Sequence, residues 1–125
     1  MKKWSMLLLL CLLLAACTPE KEENTYMNIT QQEAKAIMDT QEGYIILDVR
    51  TQEEFDEKHI PGAMLIPVDE VAQRAEGELP DKDQLILVYC RSGRRSKTAA
   101  QALVDLGYTN IREFGGIIDW PYETE

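Results

Sequence analysis

One short segment of the chain concentrates residue types that could do nucleophilic chemistry. Cys90 follows an uninterrupted apolar run, residues 85–89, and precedes a stretch rich in arginine, serine and glycine. The seven positions are Cys90, Arg91, Ser92, Gly93, Arg94, Arg95 and Ser96. A thiol reacts as its thiolate, and nearby positive charge lowers the pKa of a thiol. The segment therefore indicates a cysteine nucleophile that receives an anionic substrate.

The neighbouring elements place this cysteine where an anion is favoured. Residues 85–89 predict a buried strand, and residues 96–106 predict a helix with one apolar side. Free amides and the helix dipole attract negative charge at a helix N-terminus. Ser92 and Gly93 allow the backbone to turn its amides inward. We expect a cationic cup with the Cys90 sulfur at its base, ionised near neutral pH and open to water.

Apolar strands alternate with helices along the rest of the chain. This pattern predicts a single α/β domain with a central, mainly parallel sheet and helices on both faces. Such sheets bind ligands beyond the carboxyl ends of their strands, which is where Cys90 lies. We expect strands over residues 44–47, 63–67, 85–89 and 111–114, helices over residues 30–40, 53–58, 68–76 and 96–106, and a loop from Gly77 to Asp83.

The overall composition limits the partners that we expect. The 125 residues carry 13 basic and 22 acidic side chains, for a net charge of -9. An acidic surface repels phosphate backbones, so nucleic acid is not an expected partner. His59 is the only histidine and no ligand cluster accompanies it, so we expect neither a metal nor another cofactor.

The N-terminal segment has the pattern of an export signal. Two lysines precede the uncharged apolar residues 4–14, which are too few to cross a bilayer as a helix. Residues 14–17, Leu-Ala-Ala-Cys, resemble the lipobox of bacterial lipoproteins, in which the cysteine is acylated and becomes the first mature residue. The alternative is an ordinary secretory signal in which the cysteine is incidental.

The lipobox resemblance implies an organisation and a location. Residues 1–16 are expected to be a lipoprotein signal peptide, and residues 17–27 a lipidated Cys17 with a flexible acidic tether. Residues 28–125 form the folded domain, held by lipid on the extracytoplasmic face of a membrane, at the cell surface or in the periplasm. Cys90 is then an unpaired thiol in an exported protein, which makes it either buried and inert or present for its reactivity.

From about residue 29 to residue 120, the sequence resembles the rhodanese-like family of sulfurtransferases. The matching pieces are residues 47–50 (Leu-Asp-Val-Arg), 53–55, 59–63, 66–67, the loop 90–96, and 115–116 with Trp120. The resemblance implies that Cys90 carries a persulfide, taking sulfane sulfur from thiosulfate or a similar donor and passing it to cyanide or a thiol. It also implies that Asp48 helps to hold the catalytic loop, while Arg50 either supports the site or is a structural ion-pair partner.

Within this interpretation the remaining polar residues have different expected roles. The residues expected to bind the substrate are Arg91, Ser92, Gly93, Arg94, Arg95 and Ser96. Arg95 is the main expected anion clamp and Arg91 the second, while Arg94 either joins them or faces solvent. His59 is expected to hold loops together, and Trp120 to pack in the core. The acidic residues at positions 53, 54, 56 and 57 have the pattern of a solvated helix face.

Three other interpretations remain open at this point. The domain could be a sulfur carrier without turnover, or a redox or partner-binding module that presents Cys90 to a protein thiol. Cysteine phosphatases and arsenate reductases are less well matched, because their loop is Cys-x5-Arg and Ser96 stands where that arginine belongs. Finally, Cys90 could be an inert buried thiol followed by a solvated basic turn.

Overall fold

Five parallel strands form one sheet in the computed structural model of the protein, which describes residues 25–125. The strands are β1 (Met27–Asn28), β2 (Ile45–Asp48), β3 (Met64–Leu65), β4 (Ile86–Cys90) and β5 (Ile111–Gly116). Their spatial order is β1-β5-β4-β2-β3, and every neighbouring pair is parallel. The expected signal peptide, Cys17 and most of the tether lie outside the described residues.

Four helices cover the sheet. They are α1 (Gln31–Thr40), α2 (Gln52–Glu57), α3 (Val71–Glu78) and α4 (Arg94–Asp105), with short 3-10 turns at Val68–Glu70 and Ile117–Asp119. Successive side chains of a strand point to opposite faces, and β4 divides accordingly: Val88 packs in a cluster with α3 and α4, whereas Leu87 packs in a second cluster with α1. Two apolar layers on one parallel sheet confirm the expected single α/β domain.

Threonines fix the starts of two helices. The Thr30 hydroxyl accepts a hydrogen bond from the Glu33 amide at 3.0 Å and so begins α1. At α2 the arrangement is reciprocal, because the Thr51 hydroxyl accepts from the Glu54 amide while the Glu54 carboxylate accepts from the Thr51 amide, each at 3.2 Å. This capping box gives the Glu54 side chain a fixed position.

Several element boundaries differ from those expected. Helix α3 continues through Gly77, whose backbone is helical and not left-handed, so the expected loop starts later. Helix α4 begins at Arg94 instead of residue 96, because Gly93 adopts the left-handed conformation (φ 101°) that turns the chain into the helix early. The sheet also has an edge strand that was not expected, in which Met27 pairs with Arg112.

Within residues 25–125, no helix combines the length and the apolar character needed to cross a bilayer.

Candidate active site

Cys90 is the last residue of β4, and its sulfur lies under the first turn of α4. Only residues 91–93 separate the strand from the helix. The Gly93 amide donates a hydrogen bond to Sγ at 3.0 Å, and the thiol lies 3.4 Å from the Ser96 hydroxyl. The parallel strand therefore delivers the sulfur to a cradle made by a helix N-terminus, as the sequence predicted.

The cradle favours the ionised sulfur. Burial by itself raises the pKa of the Cys90 thiol, but hydrogen bonds from the Ser96 hydroxyl and from the amides of Ser96, Gly93 and Ser92 outweigh it and leave the pKa below its ordinary value. The expected direction of the pKa agrees with the structure. Of its two expected causes, the amides at the helix N-terminus are confirmed, whereas the charge of the arginines is not among the main causes, and the Ser96 hydroxyl is a cause that was not expected.

The sulfur is less accessible than expected. Cys90 retains only 1% of its possible exposure, whereas Arg91 and Ser92 above it are exposed. The expectation of a sulfur open to water is therefore wrong for this conformation of the loop. A reactant therefore reaches Cys90 only after the residues that cover the sulfur have moved.

Gly116 closes the other side of the cradle. It pairs with Cys90 across β4 and β5, at an irregularity of the ladder. A Cβ built at this position would overlap the carbonyl group of Arg91 and lie 2.5 Å from the Ser92 amide nitrogen. Only glycine allows β5 to approach the loop this closely.

Arg95, the expected anion clamp, is already paired. Its guanidinium donates two hydrogen bonds to the Glu54 carboxylate, at 2.6 and 2.9 Å. Arg95 holds the pKa of Glu54 down at about 2, against the opposing effect of burial and with help from Thr51. The prediction of a solvated acidic helix face is thus wrong for Glu54, which is half-buried, and right for residues 53, 56 and 57, which are exposed.

The other two arginines of the loop face solvent. Arg94 is exposed at the start of α4, which agrees with the second of its two expected positions. Arg91 is also exposed and lines a pocket of about 310 Å³ beside the loop, with Arg50, Glu54, Glu57 and Lys58 among its other walls. Arg91 is therefore the unpaired loop arginine that faces a cavity.

Asp48 and Arg50 form a buried ion pair at the end of β2. The Arg50 guanidinium donates to both carboxylate oxygens of Asp48, at 2.7 to 3.1 Å, and to the Lys58 carbonyl at 2.7 Å. Burial, together with Asp48, raises the pKa of the neighbouring Tyr89 hydroxyl, which accepts from the Ile60 amide at 3.0 Å. The pair ties β2 to the segment after α2, and neither side chain forms a hydrogen bond to residues 90–96.

Glu113 belongs to the site but was missed by the sequence analysis. Its side chain is 3% exposed, and its Oε1 accepts from the Ser96 hydroxyl at 2.7 Å and from the Gly115 amide at 2.8 Å. The alternation of β5 contained a signal, because Glu113 shares a face with the buried Ile111 two residues earlier. Ser96 hydrogen-bonds to this carboxylate, so the position at which a phosphatase loop has arginine carries no positive charge in this protein.

His59 and Trp120 lie away from the sulfur. His59 Nδ1 bonds the Phe55 carbonyl at 2.9 Å, and its ring stacks on Phe55 with centroids 3.9 Å apart. Trp120 packs against Phe114 in the second apolar cluster. Both have the structural roles that were expected. Among residues 25–125, no three side chains of metal-binding type come close enough together to hold an ion.

Comparisons with known proteins agree with this geometry. Residues 30–121 match the Rhodanese-like domain family. The chain is 40% identical over 73 residues to "Thiosulfate sulfurtransferase PspE" of Escherichia coli (strain K12), an alignment that covers 58% of this chain and 70% of that protein. It is also 40% identical over 98 residues to "Putative sulfur carrier protein YrkF" of Bacillus subtilis (strain 168), covering 78% of this chain and 52% of that protein.

A solved structure described as "rhodanese with anions from E. coli" superposes with a TM-score of 0.62 at 35% identity, covering 66% of this chain and 96% of that one. The chain spans about half of the Bacillus protein, so the activity of that longer protein as a whole is not transferred to it. The match of 92 consecutive positions, together with the similar fold, shows that this chain belongs to the rhodanese-like domain family and is a transferase of rhodanese type.

Proposed function

We propose that the protein moves sulfane sulfur from thiosulfate, or from a similar small anionic donor, to cyanide or a thiol through a persulfide on Cys90. The observation that carries this proposal is the Gly93 amide, which points at Sγ from 3.0 Å in a cradle that lowers the pKa of the thiol. A sulfur so placed is a nucleophile before any substrate arrives.

The reaction has two half-reactions. The Cys90 thiolate attacks the outer sulfur of thiosulfate, the new S–S bond forms, and sulfite leaves with the electron pair of the bond that breaks. An acceptor such as cyanide then attacks the outer sulfur of the persulfide and leaves as thiocyanate, while Cys90 returns as thiolate. Backbone amides that face Sγ stabilise the anion in both states of this ping-pong route.

The pocket beside the loop supports an anionic donor. Arg50 and Glu54 in its wall are each neutralised by a partner, Asp48 and Arg95 respectively. The exposed charges that remain are Lys58 and Arg91 against Glu57. A net positive approach to the loop raises the local concentration of a dianion.

The test is sulfur uptake followed by turnover. Treatment with thiosulfate is expected to add the mass of one sulfur atom to the peptide that contains Cys90, and added cyanide is expected to release it as thiocyanate. Cys90→Ser should abolish both, whereas Cys11→Ala, outside the domain, should abolish neither. Thiocyanate formation that survives in Cys90→Ser would overturn the proposal.

A sulfur carrier that loads but does not turn over is the second candidate. It is favoured by the pairing of Arg95 with the Glu54 carboxylate, which leaves the expected anion clamp occupied. It is also favoured by the similarity to the Bacillus protein, a putative sulfur carrier. In this case the persulfide forms stoichiometrically with thiosulfate, and only a protein thiol discharges it. Rapid discharge by cyanide would exclude this candidate.

We further propose that acylation of Cys17 anchors the protein on the extracytoplasmic face of a membrane. The support is the sequence of residues 14–17 and the polar tether after it. Cys17→Ala is expected to release the protein from the membrane fraction of bacterial cells, while Cys11→Ala should stay anchored. Unchanged membrane association of Cys17→Ala would contradict the anchor.

A further inference from the structure

Behind the reactive sulfur lies a buried carboxylate that the proposed reaction does not use. Glu113 is 3% exposed and reaches Cys90 through one residue, Ser96, which is completely buried. Oε1 of Glu113 accepts two hydrogen bonds, from the Ser96 hydroxyl and from the Gly115 amide.

The Ser96 hydroxyl has one hydrogen and several acceptors for it. Oγ lies 2.7 Å from Glu113 Oε1, 3.0 Å from the Gly93 carbonyl oxygen and 3.4 Å from Cys90 Sγ. Hydrogen bonds to charged acceptors are the stronger ones, and Glu113 is the nearest of the three. In the neutral thiol the hydrogen therefore points at Glu113 while Cys90 donates to Ser96 Oγ, whereas in the thiolate Sγ and Glu113 compete for that one hydrogen.

Glu113 is also the unbalanced charge around the sulfur. The charge of Arg95, on α4, interacts with Cys90, but Arg95 is paired with Glu54 of α2. Asp48 at the end of β2 is paired with Arg50. Among residues 25–125, no lysine, arginine or histidine nitrogen lies within 4 Å of the Glu113 carboxylate.

We propose that Glu113 is a positioning residue for Cys90: by competing with the thiolate for the Ser96 hydrogen, it disfavours charge on Sγ and shifts the loop toward its sulfur-loaded form. In the thiolate the charge lies on Sγ, next to Ser96. In the persulfide it lies on the outer sulfur, about 2 Å from Sγ. The inference rests on the proposed persulfide for its purpose, but its effect on the free thiol is independent of it.

The first test is the pH profile of Cys90 alkylation by iodoacetamide, followed on the Cys90 peptide by mass spectrometry. Glu113→Gln keeps the shape but removes the charge, so Ser96 can turn its hydrogen to the thiolate. The midpoint is expected to fall by about one pH unit. The limiting rate at high pH should fall about threefold, because a less basic thiolate is a weaker nucleophile.

The second test is the loading equilibrium at a pH above both midpoints. Mixtures of thiosulfate and sulfite set the persulfide fraction, which intact mass reports. Glu113→Gln stabilises the thiolate relative to the persulfide, so its loading constant should be about tenfold lower, in keeping with one pH unit. A midpoint and a loading constant equal to those of the wild type would overturn the inference.

Ser96→Ala keeps the inference testable if Glu113→Gln does not fold. Because the thiolate shares the hydroxyl hydrogen with Glu113, its removal should raise the wild-type midpoint by clearly less than about one pH unit. A larger upward shift would show that the thiolate holds the Ser96 hydrogen alone, against the inference. Glu76→Gln, an exposed carboxylate on α3, is the matched control and should leave both readouts unchanged.

These outcomes separate the two proposals. If the wild type takes no sulfur from thiosulfate but Glu113→Gln still lowers the alkylation midpoint, the proposed function fails and the role of Glu113 stands. If the wild type loads and turns over normally while Glu113→Gln changes neither the midpoint nor the loading constant, the proposed function stands and the role of Glu113 fails.

Discussion

The carboxyl ends of β2 and β4 lie side by side at one edge of the sheet, yet they are held in different ways. At β2, two full charges, Asp48 and Arg50, are buried against each other. At β4, Cys90 is surrounded by the neutral dipoles of backbone amides and by one hydroxyl. The two ends are direct neighbours, because Asp48 pairs with Tyr89.

The difference gives the end of β2 a structural role and the end of β4 a chemical one. The charges at β2 are satisfied before any ligand arrives, so they hold geometry and have nothing left to offer a substrate. The amides at β4 interact strongly only once a negative charge forms, so they favour the reaction without binding a counter-ion at rest. The first arrangement stabilises the fold, and the second stabilises an anion.

Removing one charge at β2 should have the largest effect. Asp48→Ala leaves the Arg50 guanidinium buried without a counter-ion and is expected to lower the free energy of unfolding by about 3–5 kcal/mol, measured by urea denaturation. Sulfur loading per folded molecule should change far less. Replacing both residues, as Asp48→Leu with Arg50→Met, should restore most of the stability; a single substitution that costs under about 1 kcal/mol would contradict a structural role.

A change on β5, beside the end of β4, should produce the opposite pattern. Gly116→Ala places a Cβ in the space of the Arg91 carbonyl, so the loop must shift. We expect about a 100-fold loss of sulfur transfer, since small misplacements of reacting groups have effects of that size. The matched control is Gly77→Ala in α3, where an added Cβ meets nothing within 4 Å. It should leave transfer unchanged and raise stability by about 0.5–1 kcal/mol.

The contact that joins the two regions should show a smaller, pH-dependent effect. Glu54 follows β2, Arg95 follows β4, and the pKa of Glu54 is lowered from 4.5 to about 2. A lowered pKa in the folded state contributes stability above pH 4.5 that is lost as the pH falls toward 2. Glu54→Gln should therefore be less stable than the wild type by about 1–2 kcal/mol at pH 7. This difference in the free energy of unfolding should disappear as the pH falls from 4.5 to about 2.

Thermal denaturation as a function of pH measures this gap. Glu57→Gln, an exposed residue of the same helix, should follow the wild-type curve throughout. A gap for Glu54→Gln that stays constant down to pH 2 would mean that the carboxylate charge is not its source.

The local parts of the site could be predicted from the sequence, because they are contiguous. An apolar strand followed by a cysteine, a flexible turn and a helix fixes where Cys90 lies and why its pKa falls. The pairing of Arg95 with Glu54 could not be found in this way, since 41 positions separate them. Nor could β1, because two exposed residues have no periodicity that marks a strand.

Glu113 illustrates a different limit. Sequence analysis assigns a charged residue to the surface by default, because an unpaired carboxylate is rarely buried. Here the Ser96 hydroxyl and the Gly115 amide, which satisfy it, come from two other positions that meet only in the folded domain. The alternation of side chains along β5 indicated which face of the sheet Glu113 lies on, but not which groups would hydrogen-bond to its carboxylate.

The depth at which Cys90 lies orders the proposed reaction in time. With 1% of the residue exposed, each half-reaction has to be preceded by a movement of the residues that cover the sulfur. The same seclusion turns away bulky oxidants and disulfides, which attack accessible thiolates first. Burial thereby protects a reactive sulfur from the oxidants that would modify it on an exposed surface.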